Sequence, residues 1–253
     1  MIKREFNILF SAVLYFTRLS LPFQVPYRKE HQQLILTWFP LIGVIVGGIG
    51  AAVFWGFSQI FPQSVSVILA LSAMILTTGA FHEDGFADVC DAFGGGYTKD
   101  QRLKIMKDSR VGAYALIGVV LLMTLKISVL TEINAAKIPL LLIAAGSLSR
   151  WSTLIISRIW PYARPTGESK SRASTSRLSV FRFVAAFVLG VAPLFLFPEW
   201  RIFWCVPLVI VSSWLAGLWF FQRLGGYAGD SLGAVQQVNE VLILMVTLII
   251  DKI

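Results

Sequence analysis

The sequence is short of the residues from which most disulfide, zinc and histidine-metal sites are built. Its 253 residues include only two cysteines, Cys90 and Cys205, and only two histidines. Two cysteines provide neither a disulfide framework nor a cysteine-rich zinc site. Two histidines likewise exclude a histidine-based metal cluster. Any metal site in this protein therefore has to be built mainly from carboxylates.

Charged residues are also scarce, at 14% of the chain, whereas 56% of the residues are hydrophobic. The mean hydropathy of +0.73 is far above that of a soluble domain and is typical of an integral membrane protein. The formal net charge of +8 indicates cytoplasmic loops that meet anionic lipid or phosphate. With so little soluble surface, we do not expect a nucleic-acid partner. The sequence does not decide whether the protein forms a homo-oligomer.

Long apolar segments account for most of the chain, and each approaches the ~20 residues that a helix needs to cross a bilayer. Six of them cover about 34–61, 65–81, 112–130, 139–156, 181–197 and 203–221. A seventh, 241–250, is short and either reaches partway or begins earlier. Segment 6–21 contains Arg18 and is as compatible with an interfacial or re-entrant helix as with a span. We predict one all-α membrane domain, with an N-terminal segment in 1–33 and a bundle of about six to eight transmembrane helices in 34–253.

Two further patterns concern the packing and the orientation of this bundle. Gly43 and Gly47, with Gly48 and Ala52, have the small-xxx-small spacing that permits close helix packing. Loops 25–33, 83–110, 157–182 and 222–240 hold 14 of the 22 Lys and Arg residues, whereas the opposite loops and tail hold only Lys137, Arg201 and Lys252. The positive-inside rule places the first set in the cytoplasm, which predicts a multi-pass protein of the cell inner membrane.

The most informative stretch is the acidic run 81–91, at the end of the apolar segment 65–81. It carries Glu83, Asp84, Asp88 and Asp91, and neither Lys nor Arg occurs between Phe81 and Tyr97. The i, i+4, i+7 spacing of the three aspartates places them on one face of a helix. Because like charges this close repel each other unless a cation lies among them, we predict that this face binds one or two hard divalent cations, Mg²⁺ or Mn²⁺. The alternative is a solvated, charged helix end.

Groups suited to a phosphate follow this run in the sequence. Glycines 94–96 end a helix and allow backbone N–H groups to approach an anion (Gly94, Gly95 and Gly96). Thr98 and Gln101 form a capping-box pattern for a second helix, on which Lys104, Lys107 and Asp108 share a face before Arg110. Basic side chains next to a carboxylate–metal site suit a pyrophosphate. A solvated basic face at the membrane surface is the alternative.

Three motifs in the second half of the chain have both a structural and a functional interpretation. Arg150 lies inside an apolar segment, where a charged side chain is energetically costly. We therefore predict that Arg150 faces a cavity or a partner. Arg164 lies in 161–165, ahead of a polar segment, 169–179, that is either a lid over an anionic substrate or a lipid-surface loop. The glycine-rich turn 225–234 contains Asp230, which is either a helix cap or a fourth carboxylate.

These blocks together resemble the cobalamin-5′-phosphate synthase family, also called adenosylcobinamide-GDP ribazoletransferases. The resemblance rests on the acidic block with its three glycines (81–96) and on the block Ile-Met-Lys-Asp-Ser-Arg-Val-Gly (105–112). Phe16-Thr17-Arg18, Ser149-Arg150-Trp151, 161–165 and 225–234 also match, in order, so that the resemblance spans nearly the whole chain.

The resemblance implies a Mg²⁺-dependent membrane enzyme that joins adenosylcobinamide-GDP to α-ribazole or its 5′-phosphate and releases GMP. Asp84, Asp88 and Asp91 would hold the metal, and one of them or Glu83 would accept the hydroxyl proton. His82 would be a proton shuttle or simply a packed side chain. The expected substrate-binding residues are Gly94, Gly95, Gly96, Lys107, Asp108, Arg110, Arg150, Arg164 and Asp230.

Two alternative classes remain to be weighed. CDP-alcohol phosphotransferases and membrane prenyltransferases also place spaced aspartates at helix ends, but the Asp-Gly-x-x-Ala-Arg block of the former and the second aspartate-rich block of the latter are absent. A transporter would explain polar residues at membrane depth. However, the acids here are clustered in one stretch rather than spread along a path.

Overall fold

The computed structural model describes residues 2–26, 28–32, 34–163 and 177–253. These residues are helical throughout, apart from loops and one isolated β-bridge between Tyr162 and Tyr227. The predicted all-α class is therefore confirmed. In chain order the helices are α1 (Ile2–Phe16), α2 (Lys29–Gln32), α3 (Phe39–Phe57), α4 (Gln63–Thr78), α5 (Phe81–Gly95), α6 (Lys99–Ile105), α7 (Ala113–Glu132), α8 (Ile138–Ile159), α9 (Val180–Val191), α10 (Cys205–Leu224) and α11 (Gly229–Asp251). Short 3₁₀ turns precede α3, α8 and α10 and follow α9.

Five of these helices are long and apolar enough to cross a membrane. The five candidate spans are Ile35–Phe57, Ala113–Glu132, Ala135–Ile159, Trp200–Leu224 and Gly229–Asp251, and three of them include the 3₁₀ turn that precedes the helix. A sixth span results if α4 and α5, which meet at an angle of 89°, count as one broken crossing. Six is at the low end of the predicted range. Because α11 begins at Gly229, the short apolar segment 241–250 is only the second half of a full span.

Helix α8 lies at the centre of the bundle and packs most closely against α3. A Cβ atom on Gly43 would lie 2.1 Å from the carbonyl oxygen of Gly146, and one on Gly47 would lie 2.4 Å from that of Leu142. The backbones of α3 and α8 therefore touch where these two glycines lie, as the small-residue spacing predicts. Gly48 and Ala52 do not take part, since a Cβ on Gly48 would meet nothing within 4 Å and Ala52 is exposed.

A sharp bend aims the acidic helix into the bundle rather than along α4. Gly79 (φ +66°) and Ala80 (φ +58°) both adopt the left-handed conformation, and α5 begins at the next residue. The backbone N–H of Arg18 donates to the carbonyl of Thr77 (2.7 Å), so the segment after α1 fastens this bend. Helix α5 then packs between α11 and α7: a Cβ on Gly85 would lie 3.0 Å from the carbonyl oxygen of Asp230.

An ion cluster joins three helix ends at the opposite end of the chain's spans. The Nζ atom of Lys137 lies 2.6 Å from Glu199 Oε1 and 2.8 Å from Asp251 Oδ1. Lys137 precedes α8, Glu199 precedes the turn before α10, and Asp251 ends α11. The hydrogen bond from Lys137 keeps the pKa of Glu199 below its usual value.

Candidate active site

The acidic run forms helix α5, as predicted, but its three aspartates have different surroundings. Asp84 is exposed, whereas Asp88 and Asp91 are half-buried. Asp91 accepts backbone hydrogen bonds from Gly112 (Oδ2, 2.6 Å) and Ala115 (Oδ1, 2.8 Å). Gly112 is the N-cap of α7, so Asp91 caps that helix from a distance and complements its dipole.

The capping role of Asp91 changes which carboxylates are available to a cation. Both of its oxygens already accept N–H groups, whereas Asp84 and Asp88 retain their i, i+4 relation on α5. Asp230, on the first turn of α11, contacts α5 at Gly85. Within the described ranges no three His, Cys, Asp or Glu side chains already converge in a geometry that could hold a metal ion. The three-aspartate magnesium site remains a prediction, and Asp91 is its weakest member.

Two residues at the start of the acidic run, His82 and Glu83, point into the protein. Glu83 Oε1 accepts a hydrogen bond from Gln237 Nε2 (2.9 Å). His82 is 2% exposed, stacks on Phe39 with ring centroids 5.6 Å apart and meets the edge of Phe81. This burial agrees with the packed interpretation of His82, whose role as a proton shuttle stays untested.

The three glycines after the acidic run lie against side chains of the neighbouring helices. A Cβ on Gly94 would lie 2.3 Å from the ring of Tyr114, and one on Gly96 would lie 2.8 Å from the Arg102 side chain. Gly95 is exposed and has more room, since the nearest atom to its Cβ would be 3.8 Å away. Gly94 and Gly96 thus have a packing reason to be glycine, and the phosphate contact predicted for Gly94, Gly95 and Gly96 stays a prediction.

Helix α6 starts as predicted but ends early. The Thr98 hydroxyl accepts from the Gln101 N–H (3.3 Å), and the Gln101 side chain accepts from the Thr98 N–H (3.1 Å), which completes the capping box. The helix ends at Ile105, so Lys107 and Asp108 lie beyond it in the loop that leads to Gly112. The prediction that Lys104, Lys107 and Asp108 share a helix face is therefore wrong.

Asp108 and Arg110 bind each other in this loop. Arg110 Nε donates to both carboxylate oxygens of Asp108, at 3.0 and 3.1 Å. These hydrogen bonds lower the pKa of Asp108 to about 2 and raise that of Arg110. Both groups are solvated, so an anionic substrate could compete with Asp108 for the guanidinium group. The Asp91 contact with Gly112 holds the end of this loop next to α5.

Two motifs that are far apart in the sequence meet beside the first turn of α11. Ala163 N–H donates to the carbonyl of Tyr227 (2.8 Å), and Tyr227 N–H donates to that of Pro161 (3.0 Å). Gly226 adopts φ +157°, and a Cβ there would lie 2.2 Å from the Pro161 carbonyl oxygen. The Ser231 hydroxyl accepts a hydrogen bond from the Ala228 N–H (3.2 Å) at the start of α11. Arg164 and most of the polar segment 169–179 lie outside the described residues.

The sequence analysis missed a pair of buried charges behind the acidic helix. Lys126 on α7 and Glu240 on α11 are 2% and 4% exposed, and Lys126 Nζ lies 3.3 Å from Glu240 Oε2. Helix α11 begins eleven residues before Glu240, so Glu240 lies within the span. Lys126 could have been found, since a lone lysine in the apolar segment 112–130 carries the same signal as Arg150.

Arg150 faces this buried pair, as its predicted position in an apolar segment requires. It is 2% exposed, donates from Nη1 to the Gly146 carbonyl (2.8 Å) and lies 5.8 Å from the Phe39 ring centroid. Together with Glu83, Lys126 and Glu240 it lines a small cavity of about 10 Å³. The prediction that Arg150 faces a cavity is confirmed, whereas its predicted contact with the diphosphate is untested.

An aromatic pocket adjoins the start of both α5 and α11. It has a volume of about 40 Å³, and its walls are mainly rings and glycines: Tyr15, Phe16, Phe39, Phe81, His82, Gly229 and Gly233. Phe16, from the N-terminal motif 16–18, lies 6.0 Å from Phe81 between ring centroids. The N-terminal motif is thus part of the region around the acidic helix.

Comparison with known proteins places nearly the whole chain in one family. The family model described as "Cobalamin-5-phosphate synthase" matches residues 8–248. Proteins named adenosylcobinamide-GDP ribazoletransferase are 39% identical in Ralstonia pickettii (strain 12J), over 96% of this chain and 95% of the relative, and 39% identical in Shewanella frigidimarina (strain NCIMB 400), over 97% and 95%. No solved structure matches the chain significantly. On the family match and these relatives, the chain belongs to the cobalamin-5-phosphate synthase family.

Proposed function

We propose that this protein is a membrane transferase of cobalamin biosynthesis that joins adenosylcobinamide-GDP to α-ribazole or its 5′-phosphate. Family membership over residues 8–248 gives the reaction class. The observation that carries the assignment to a site is the meeting of α5 and α11, where Asp84, Asp88 and Asp230 lie on two helices in van der Waals contact at Gly85. The loop with Lys107 and Arg110 is fastened to the same helix through Asp91.

The reaction is a displacement at phosphorus. A sugar hydroxyl of the ribazole forms a new bond to the phosphorus that bears the cobinamide, the bridging P–O bond of the pyrophosphate breaks, and GMP leaves with the bonding electrons. The hydroxyl proton passes to a protein carboxylate and then to solvent. Catalysis of such a step depends on positioning and on charge stabilisation. Asp84 is exposed and Asp88 half-buried, so a substrate can reach them, whereas Glu83 faces inward.

Magnesium fits this donor set, because carboxylates are the ligands that hard divalent cations prefer and the pyrophosphate completes the shell. Asp84, Asp88 and Asp230 would hold it, since they lie on the two helices that touch at Gly85. Bound Mg²⁺ would neutralise charge that develops on the phosphate oxygens. Lys107, Arg110 and Arg164 are the proposed contacts of the pyrophosphate and of the departing nucleotide, because their charge complements it.

The aromatic pocket next to the acidic helix suits the planar base of the ribazole. Phe16, Phe39 and Phe81 provide ring faces and edges, which bind flat apolar groups by stacking. Phe16→Ala should raise KM for the ribazole and leave KM for adenosylcobinamide-GDP unchanged. An equal rise for both substrates would exclude this placement of the base.

We further propose that the site faces the cytoplasm in the inner membrane. Segments 25–33, 83–110 and 157–182 carry most of the basic residues, which the positive-inside rule assigns to that side. Single cysteines placed at Lys99 and at Glu132, in a chain without Cys90 and Cys205, test this orientation. An impermeant thiol reagent applied outside spheroplasts should modify only the cysteine at position 132, and the opposite pattern would refute the assignment.

The direct test uses the purified full-length protein in lipid nanodiscs with adenosylcobinamide-GDP, α-ribazole and Mg²⁺. Mass spectrometry should detect GMP and the joined corrinoid in equal amounts, and the Asp84→Asn variant serves as the inactive control. Release of GMP without the joined product would indicate a hydrolase instead. Absence of both products with a folded protein would refute the proposed reaction.

A further inference from the structure

Four buried side chains between α7 and α11 form a closed ring of hydrogen bonds, in which Lys126 only donates and Glu240 only accepts. Lys126 Nζ donates to Gln237 Oε1 (2.6 Å), and Gln237 Nε2 donates to Gln236 Oε1 (2.9 Å). Gln236 Nε2 donates to Glu240 Oε2 (2.7 Å), and the Lys126–Glu240 ion pair at 3.3 Å closes the ring. The ring contains one positive and one negative charge and is therefore neutral.

This ring lies deep within the bundle. At about 1.5 Å per residue, Glu240 is roughly 16 Å along α11 from Gly229, where the helix begins. Ions at such a depth are costly, and an apolar replacement of a buried ion pair is often as stable as the pair itself. Stability alone therefore gives no reason for Lys126 and Glu240 to be charged.

The ring has one connection to the acidic helix. The second hydrogen of Gln237 Nε2 goes to Glu83 Oε1 (2.9 Å), so Gln237 links the ammonium group of Lys126 to a carboxylate on the first turn of α5. A further connection goes from Gln236 to Ser149 on α8 (3.0 Å). Because the Gln237 amide is fixed at its oxygen by Lys126, its N–H groups can point only towards Gln236 and Glu83.

We propose that Lys126, Gln236, Gln237 and Glu240 are positioning residues that hold Glu83, and with it the first turn of α5, in the orientation that transfer requires. The inference rests on the proposed function for its catalytic consequence, but the positioning itself is independent of it. Asp84 is the next residue after Glu83 on this turn, so a loosened Glu83 displaces the carboxylate nearest to the substrate. Displacement of a reacting group by about 1 Å can cost 100-fold in rate.

The chain offers a matched control for the loss of a buried amide. Asn239 lies on the same helix, is 0% exposed as against 1% for Gln237, and donates to Ser152 (2.6 Å) and Ser213 (2.8 Å). None of its hydrogen bonds reaches α5. Gln237→Met and Asn239→Leu therefore each remove two donated hydrogen bonds from α11, but only Gln237→Met breaks the link to Glu83.

The first measurement is hydrogen–deuterium exchange of the full-length protein in nanodiscs, which needs no turnover. Gln237→Met should raise exchange in 81–86 at least several-fold, whereas Asn239→Leu should leave that segment as in the wild type. If Gln237→Met does not fold, the double variant Lys126→Met/Glu240→Gln, which keeps the net charge, replaces it. It should raise exchange in 81–86 in the same way. Unaltered exchange of 81–86 in the folded variants would overturn the proposal.

The second measurement is steady-state turnover. Gln237→Met should lower kcat about tenfold or more with both KM values within about twofold, because the ring contacts neither substrate. Glu83→Ala should lower kcat as well, and adding Gln237→Met to it should cost little more, since the two act through one contact. Additive losses, or equal losses in Asn239→Leu, would show that the ring only stabilises the bundle. If the wild type transfers nothing, the proposed function fails, while the exchange experiment still decides the positioning.

Discussion

Asp91 accepts a 2.6 Å hydrogen bond from the backbone N–H of Gly112, the residue that precedes α7. Because of this contact, Asp91 caps another helix and so differs in role from Asp84 and Asp88 on the same helix face. It also fixes the end of the basic loop that contains Lys107 and Arg110 next to the acidic helix. One carboxylate thereby joins the two sequence blocks on which the family resemblance rests.

The first prediction contrasts Asp91 with its neighbours. Asp84→Asn and Asp88→Asn should abolish turnover and leave membrane insertion and thermal stability close to wild type. Asp91→Ala should instead destabilise the fold by about 1 kcal/mol or more, because the first turn of α7 loses its cap. Thermal unfolding in detergent, together with GMP release, distinguishes the two effects. Wild-type activity in Asp84→Asn or Asp88→Asn at ordinary Mg²⁺ would contradict the site.

The second prediction concerns the metal and the identity of its third carboxylate. A chelator should stop the transfer reaction, and added Mg²⁺ should restore it. Mn²⁺ binding, followed by electron paramagnetic resonance, should weaken at least tenfold in Asp230→Asn and change little in Asp91→Asn, since the Asp91 oxygens are held by backbone N–H groups. Weakening by Asp91→Asn alone would restore the original three-aspartate site.

A third prediction tests the close contact between α3 and α8. Gly47→Val should prevent stable folding, because its Cβ would lie 2.4 Å from the Leu142 carbonyl oxygen and neither backbone can move freely. Gly48→Val, one residue along the same helix, should be tolerated, since a Cβ there meets nothing within 4 Å. The yield of monodisperse protein in size-exclusion chromatography measures both. Equal yields would show that the two helices do not pack this closely.

The fourth prediction is a pH dependence at the end of the bundle away from the acidic helix. The pKa of Glu199 is lowered in the folded state by its hydrogen bond from Lys137. Its contribution to stability is therefore fully present above the usual glutamate pKa and is lost as the pH falls through the lowered value. Glu199→Gln should lower the unfolding temperature at pH 7, and this difference should shrink as the pH falls below the usual glutamate pKa. A difference that stays unchanged down to the acid limit of folding would refute the ion pair.

Several features of this fold follow from local sequence and were predicted from it. The apolar segments form the spans because a helix makes all of its backbone hydrogen bonds internally, as the lipid requires. The Thr98–Gln101 capping box starts α6 through hydrogen bonds between residues that are close in the sequence. Arg150 was expected to face a cavity on grounds of cost alone. The end of α6 was misplaced, because the helix pattern alone did not show that it stops at Ile105.

The functional neighbourhood was less accessible to this reasoning. The spacing of the aspartates predicted a shared face but could not show that Asp91 caps a helix 21 residues later. The pairing of Pro161 with Tyr227 and the ring that joins Lys126 to Glu240 connect residues that are even further apart in the chain. Such contacts depend on which helices become neighbours, and no local pattern encodes that.

The sequence by itself determined the class of the protein and the chemical groups that it contains. It is a helical chain in the bilayer, with four acids at the end of an apolar segment and basic residues after them, and it belongs to one family. Only the tertiary structure decided which of those acids caps a helix, which faces a buried ring of charges, and which face α11. The physical reason is that helix formation is a local property of the chain, whereas the partner of each carboxylate is set by the packing of α5 between α7 and α11.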